Sequence, residues 1–340
     1  MLNSLQYLRA FAALAVVLFH YRDKFVSAGG SPAIASLVDW GHGGVPIFFV
    51  LAGFIMVWTT RLTASPGVFL WRRAIRIYGG YLPIALAFLA FKAGTTGVEE
   101  WVPEGLNLVG SLTLTESIAA RLLIFPTWSL SFELLFYLAF AICLTYGRDR
   151  FFPAALLVAI GIFALGSWGP IPADAARPMT SALNLLFILG LAVGWVAINV
   201  TRIDDRSVIA LAVLCAVCLG YGFAIGDDQR PLHRLLGFGL GSSALILVLV
   251  ELERRERVPD WPFLRRLGDA SYALYLLHVP ATFMFATLKF DSWLAWRGGP
   301  YAMLVVYLAV LLSASMCYFA LVEMPITQVG RRLSRALSFR

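Results

Sequence analysis

GGVPIFFVLAGFIMVWTT, residues 43–60, runs for eighteen positions without a charged side chain. A helix rises about 1.5 Å per residue, so this stretch reaches roughly 27 Å, close to the ~30 Å hydrocarbon layer of a bilayer. Working outward, apolar runs of the same kind recur at 5–26, 77–94, 127–146, 151–168, 181–200, 207–225, 235–252, 269–288 and 300–322. No repeat is evident among them. The sequence therefore predicts an all-α polytopic membrane protein of about ten transmembrane helices, with residues 1–340 forming a single integral-membrane domain.

Composition excludes a soluble chain: 60% of residues are hydrophobic, 14% are charged, and the mean hydropathy is +0.79. A net charge of +7 would suggest nucleic acid in a soluble protein, but here the basic residues gather at alternate span ends, which is a topology signal. With the N-terminus in the cytoplasm, 18 of the 27 Lys and Arg residues fall inside, among them Arg61, Arg72, Arg73, Arg76, Arg254, Arg255 and Arg335. Both termini are then expected to face the cytoplasm. The first span lacks a basic region before it and a clear cleavage site, so it reads as a retained helix.

Cys143, Cys215, Cys218 and Cys317 all lie in apolar runs, where cysteine behaves as a small hydrophobe. The Cys215/Cys218 pair has neither a second pair nor a nearby His, so no metal site and no disulfide is expected. The longest connection, Gly94 to Pro126, carries Glu99, Glu100 and Glu104 ahead of an amphipathic stretch, and is expected to form an outer or re-entrant element roofing a cavity.

Ionisable groups inside a span are costly and mark function or a buried partner. Arg9 and His20 share the first span and return to nearly the same helical face. A neutral imidazole can accept a proton from a hydroxyl near neutral pH; equally, it can be tied to a backbone carbonyl. Glu133 lies about two turns into the fourth span, where it would orient an imidazole, bind hydroxyls or make an interhelical ion pair. Tyr272, Tyr275 and His278 follow one another at steps of three on a single face, which suits a substrate wall or simple helix bridging. His42 and His233 fall at span ends and read as solvated. Arg72, Arg73 and Arg76, with the last two on one face, suit bidentate phosphate binding or ordinary positive-inside charge.

Several stretches together resemble the membrane-bound acyltransferase family 3, of the exopolysaccharide and O-antigen acetyltransferase type. They are Leu5 to Ala10 (LQYLRA) with His20, Gly44 to Phe54 (GVPIFFVLAGF), Arg73 to Tyr78 (RAIRIY), Trp128 to Tyr137 (WSLSFELLFY), Ser271 to His278 (SYALYLLH), and Glu323 to Pro325 (EMP). The resemblance implies a ten-helix bundle in the bacterial inner membrane. It would carry an acyl group, with acetyl the expected one, from cytoplasmic acyl-CoA to a carbohydrate hydroxyl, with no tightly bound cofactor.

Residue by residue, His20 matches the essential histidine and Arg9 the basic residue before it, while Arg73 and Arg76 match the arginines associated with the donor. Arg72 is grouped with them as a donor contact. Glu133 would orient His20, and Trp128, Ser129, Tyr137, Tyr275 and His278 would line the acceptor site. On this reading His20 is a general base or a transient acyl carrier. Two positions depart from the family pattern. Ala52 stands where many members have serine, which weakens any serine nucleophile there, and Gly79-Gly80 follow Tyr78 where proline is common. The competing class is a transporter or flippase for lipid-linked sugars, because Arg, His and Glu lining a cavity also suit a substrate pathway. A membrane scaffold would leave these groups unexplained.

Overall fold

The computed structural model describes residues 2–60, 65–95, 106–225 and 230–337, and every regular element among them is helical. Ten apolar helices carry the chain: α1 (Asn3–Ser27), α2 (Gly44–Thr60), α3 (Pro66–Thr95), α4 (Trp128–Leu144), α5 (Gly147–Trp168), α6 (Leu183–Asn199), α7 (Asp205–Ala224), α8 (Leu240–Arg254), α9 (Ser271–Thr287) and α10 (Phe290–Tyr318). A last helix, α11 (Met324–Leu337), follows a π-helical turn at Phe319–Glu323.

All ten expected spans fall on helices, and eight helical segments are long and apolar enough to cross a membrane. The others, α6 and α9, hold 17 residues each. Two starts differ from expectation. Helix α3 begins at Pro66, well before residue 77, because the Trp71–Arg73 stretch that hydropathy rejects is still helical. Helix α10 begins at Phe290, but breaks at Gly299, whose φ of 74° suits glycine, ahead of Pro300. Arg61, Glu99, Glu100, Glu104 and Arg340 lie outside the described residues. The part of the long connection that is described holds a short helix, Leu108–Thr113, and two 3-10 turns.

The chain divides into two compact units. One comprises residues 1–61, 185–278 and 284–316. In it α1 packs on the short helix Pro262–Asp269 and on α2 and α8, and α7 packs on α8. Ala12, Ala13 and Ala15 are almost fully buried, a small-residue stripe that lets neighbouring backbones approach α1. Helices α2 and α6 come closer still: a Cβ on Gly53 would lie 2.3 Å from the Phe187 carbonyl, and one on Gly190 would lie 2.1 Å from that of Val50. At the end of α8, Arg254 donates to the Val200 carbonyl at 2.9 Å and to that of Ala197, satisfying the last turn of α6 as a cation should. The neighbouring Arg255 guanidinium, beside Glu251 and then Asp205, is held more firmly protonated than usual.

The second unit comprises residues 62–184, 279–283 and 317–340. Here α3 packs on α4 and α11, and α4 on α5. Tyrosines fasten α3 to its surroundings: Tyr81 donates to the Ser111 carbonyl at 2.8 Å, Tyr78 to that of Thr113 at 2.7 Å, and Tyr318 donates to that of Gly80 at 2.6 Å. The connection after residue 106 is folded around Glu116, whose buried carboxylate accepts from the N–H groups of Ser117 and Ile118 and from the Asn107 amide. The described part of the loop is thus held both by its own carboxylate and by outside partners, Tyr78 and Tyr81 of α3 and the Ser131 hydroxyl of α4, which donates to the Glu116 carbonyl.

Candidate active site

The first unit holds a histidine pair. His20 is half-buried near the end of α1, and His278 on α9 is 1% exposed. Their rings lie 5.1 Å apart between centroids, with His278 Nε2 at 3.2 Å from His20 Nδ1. His20 Nδ1 is also 3.0 Å from the Val16 carbonyl one turn back, and His278 Nδ1 is 2.6 Å from the Tyr275 carbonyl. The α9 backbone is fixed in turn, since Tyr307 donates to the His278 carbonyl at 2.9 Å and stacks on Tyr21 at 3.9 Å. Tyr275 is buried, with its ring edge-on to Phe48.

Arg9 lies eleven residues before His20, roughly 16 Å along the helix axis. It is buried and donates to Gln6 Oε1 at 3.0 Å, while the Gln6 amide donates to Asp269. Helix α1 therefore carries a polar relay at its first turns and an imidazole at its far end. His42 departs from the solvated reading: its ring sits edge-on to Phe19 and Phe238, and its Nε2 is buried.

The second unit holds a charged cluster. Arg73 lies 5.4 Å over the rings of both Phe69 and Tyr137. Tyr137 donates to Glu133, one helical turn away on α4, and Arg76 lies within electrostatic reach of both Arg73 and Tyr137. Cation–π stacking and the carboxylate together offset the cost of taking guanidinium groups out of water. Arg72 leaves this group: it is exposed and donates from Nε to the Ser334 hydroxyl at 3.1 Å. Nearby on α4, Ser129 is buried and donates to the Pro126 carbonyl at 3.2 Å, and the half-buried Trp128 meets Phe132 edge-on. Among the described residues, no group of three or more His, Cys, Asp or Glu side chains is placed to hold a metal ion.

Sequence reasoning named both histidines but did not pair them. They are 258 positions apart, and the only sign was that each interrupts an apolar helix. The Gln6–Asp269 bond and the Glu133–Tyr137 bond were likewise unforeseen, although a glutamate and a tyrosine at i and i+4 face one another on any helix.

A polytopic helical chain with an imidazole pair on apolar helices and an arginine pair at the start of another is compatible with the acyltransferase resemblance read from the motifs. The comparison with known families agrees: residues 2–319 match the family described as "Acyltransferase domain", and the chain belongs to it. The motif resemblance noted above is thereby borne out. Among curated proteins, the chain is 27% identical over 321 residues to "Acyltransferase MdmB" of Streptomyces mycarofaciens, covering 82% of this chain and 78% of that one. It is 28% identical over 320 residues to "Exopolysaccharide production protein ExoZ" of Rhizobium meliloti (strain 1021), covering 86% and 91%. No solved structure matches it.

Proposed function

We propose that this protein transfers an acyl group, acetyl in the simplest case, from cytoplasmic acyl-CoA to a hydroxyl of a cell-surface or lipid-linked polysaccharide, with His20 as general base. The observation that carries the reading is the His20 ring, half-buried in an apolar helix and held by hydrogen bonds through its Nδ1 edge. The chemistry balances simply. The imidazole takes the proton of the acceptor hydroxyl, the oxygen attacks the thioester carbonyl, and the collapsing intermediate expels the CoA thiolate, which receives that proton. The name of the Rhizobium relative supports a polysaccharide acceptor.

Arg73 and Arg76 bind the donor phosphates in this scheme, with Arg72 and Arg9 as outlying cationic contacts. Glu133 keeps the two guanidinium groups in place through Tyr137, and Trp128, Ser129 and Tyr275 serve the acceptor. The chain crosses the bacterial inner membrane ten times with both termini in the cytoplasm, a topology supported by the two-to-one bias of basic residues.

Purified protein incubated with radiolabelled acetyl-CoA and a glycan acceptor should transfer label, and H20A should lose transfer while remaining folded and inserted. Label transfer by H20A would remove His20 from the mechanism. A flippase would show no turnover of acetyl-CoA in either form.

A further inference from the structure

We propose that His278 is the positioning residue of the reaction, fixing the tautomer of His20 so that Nε2 is the atom that accepts the proton. This rests on the general-base reading of His20. The Tyr275 carbonyl only accepts, so the 2.6 Å contact places the hydrogen of His278 on Nδ1. A neutral His278 then has its lone pair on Nε2, which faces His20 Nδ1 at 3.2 Å. That lone pair needs a donor, so His20 Nδ1 must carry hydrogen. The Val16 carbonyl, 3.0 Å from the same nitrogen, demands the same independently. In neutral His20 the lone pair is consequently on Nε2.

The same geometry governs the step after proton uptake. Imidazolium His20 donates from Nδ1 to a neutral acceptor, a charge-assisted bond that favours the developing cation. Passing the proton on to His278 would set two lone pairs, on His20 Nδ1 and the Val16 oxygen, against each other. His278 thus receives a hydrogen bond and does not act as a second base. It plays the part that a buried carboxylate plays for histidine in hydrolytic triads, without adding a charge to an apolar helix bundle. Its burial at 1% exposure and the engagement of both ring nitrogens suit this role better than contact with the acceptor sugar.

The test compares full-length wild type, H20A, H278L and H278Q in nanodiscs. Glutamine places an acceptor oxygen near the position of the lost Nε2, whereas leucine offers none. H278L should lose at least ~10²-fold in kcat with KM for acetyl-CoA and acceptor within about twofold of wild type, and H278Q should recover to within about tenfold. A kcat for H278L within about threefold of wild type, or an H278Q variant as slow as H278L, would overturn the positioning role. Activity in H20A would instead overturn the general-base reading itself. Ring-¹⁵N spectra of the wild-type protein, with His20 assigned by its loss in H20A, test the tautomer that the inference requires even if H278L does not fold. Protonated Nδ1 and bare Nε2 on His20 support the inference, and the opposite tautomer sinks it.

Discussion

The histidine pair of one unit and the arginine cluster of the other solve the problem of polar groups in apolar helices in opposite ways. The rings of His20 and His278 meet each other and two backbone carbonyls, so in their neutral forms burial leaves these nitrogens paired at little cost. Arg73 and Arg76 are permanently charged: Arg73 lies over the rings of Phe69 and Tyr137, Tyr137 is tied to the carboxylate of Glu133, and Arg76 is within electrostatic reach of Arg73 and Tyr137. The first arrangement suits a group that changes protonation in each turnover. The second suits a fixed, preorganised recognition of an anion.

That division can be broken by asking which kinetic constant each region controls. Within the arginine cluster the largest expected effect is that of R73A: KM for acetyl-CoA should rise about 10- to 100-fold, the worth of a charge-assisted hydrogen bond, with kcat changed far less. A pure kcat loss would move Arg73 from recognition to chemistry. E133Q keeps an acceptor for Tyr137 but removes the negative charge, so the acetyl-CoA KM should shift by up to about tenfold with kcat nearly constant. If instead kcat fell as far as in H20A, the carboxylate would have to serve the imidazole after all. Y137F deletes a single hydrogen bond and should lower stability by about 1–2 kcal/mol, read from thermal unfolding in detergent. The smallest effect is expected from R72A, because Arg72 is exposed and tied to Ser334; its acetyl-CoA KM should stay within about threefold of wild type. A loss equal to that of R73A would raise Arg72 from a minor to a principal donor contact.

The helices were legible because span length and the absence of charge depend on local sequence alone. Their ends were less so: Arg72 and Arg73 depress hydropathy at the start of α3, yet the backbone there is still helical, since arginine is a good helix former. Individual site residues were legible for a related reason, as His20, Glu133 and His278 each stand out against apolar neighbours. Their partners were not. Whether His278 faces His20 or sugar depends on how α9 packs beside α1, and nothing in either helix encodes that. The three arginines show the same limit, since a step of one residue turns a side chain by 100° and separates Arg72 from Arg73, while a step of three keeps Arg76 with it.

The crossing of Gly53 and Gly190 sets a practical rule for anyone wishing to instrument this protein. With 2.3 and 2.1 Å separating a hypothetical methyl from the opposing carbonyls, α2 and α6 pack main chain against main chain at this crossing and are expected to tilt together. Reporter groups belong on other faces of those two helices, and a pair of labels on them should register no relative displacement during turnover.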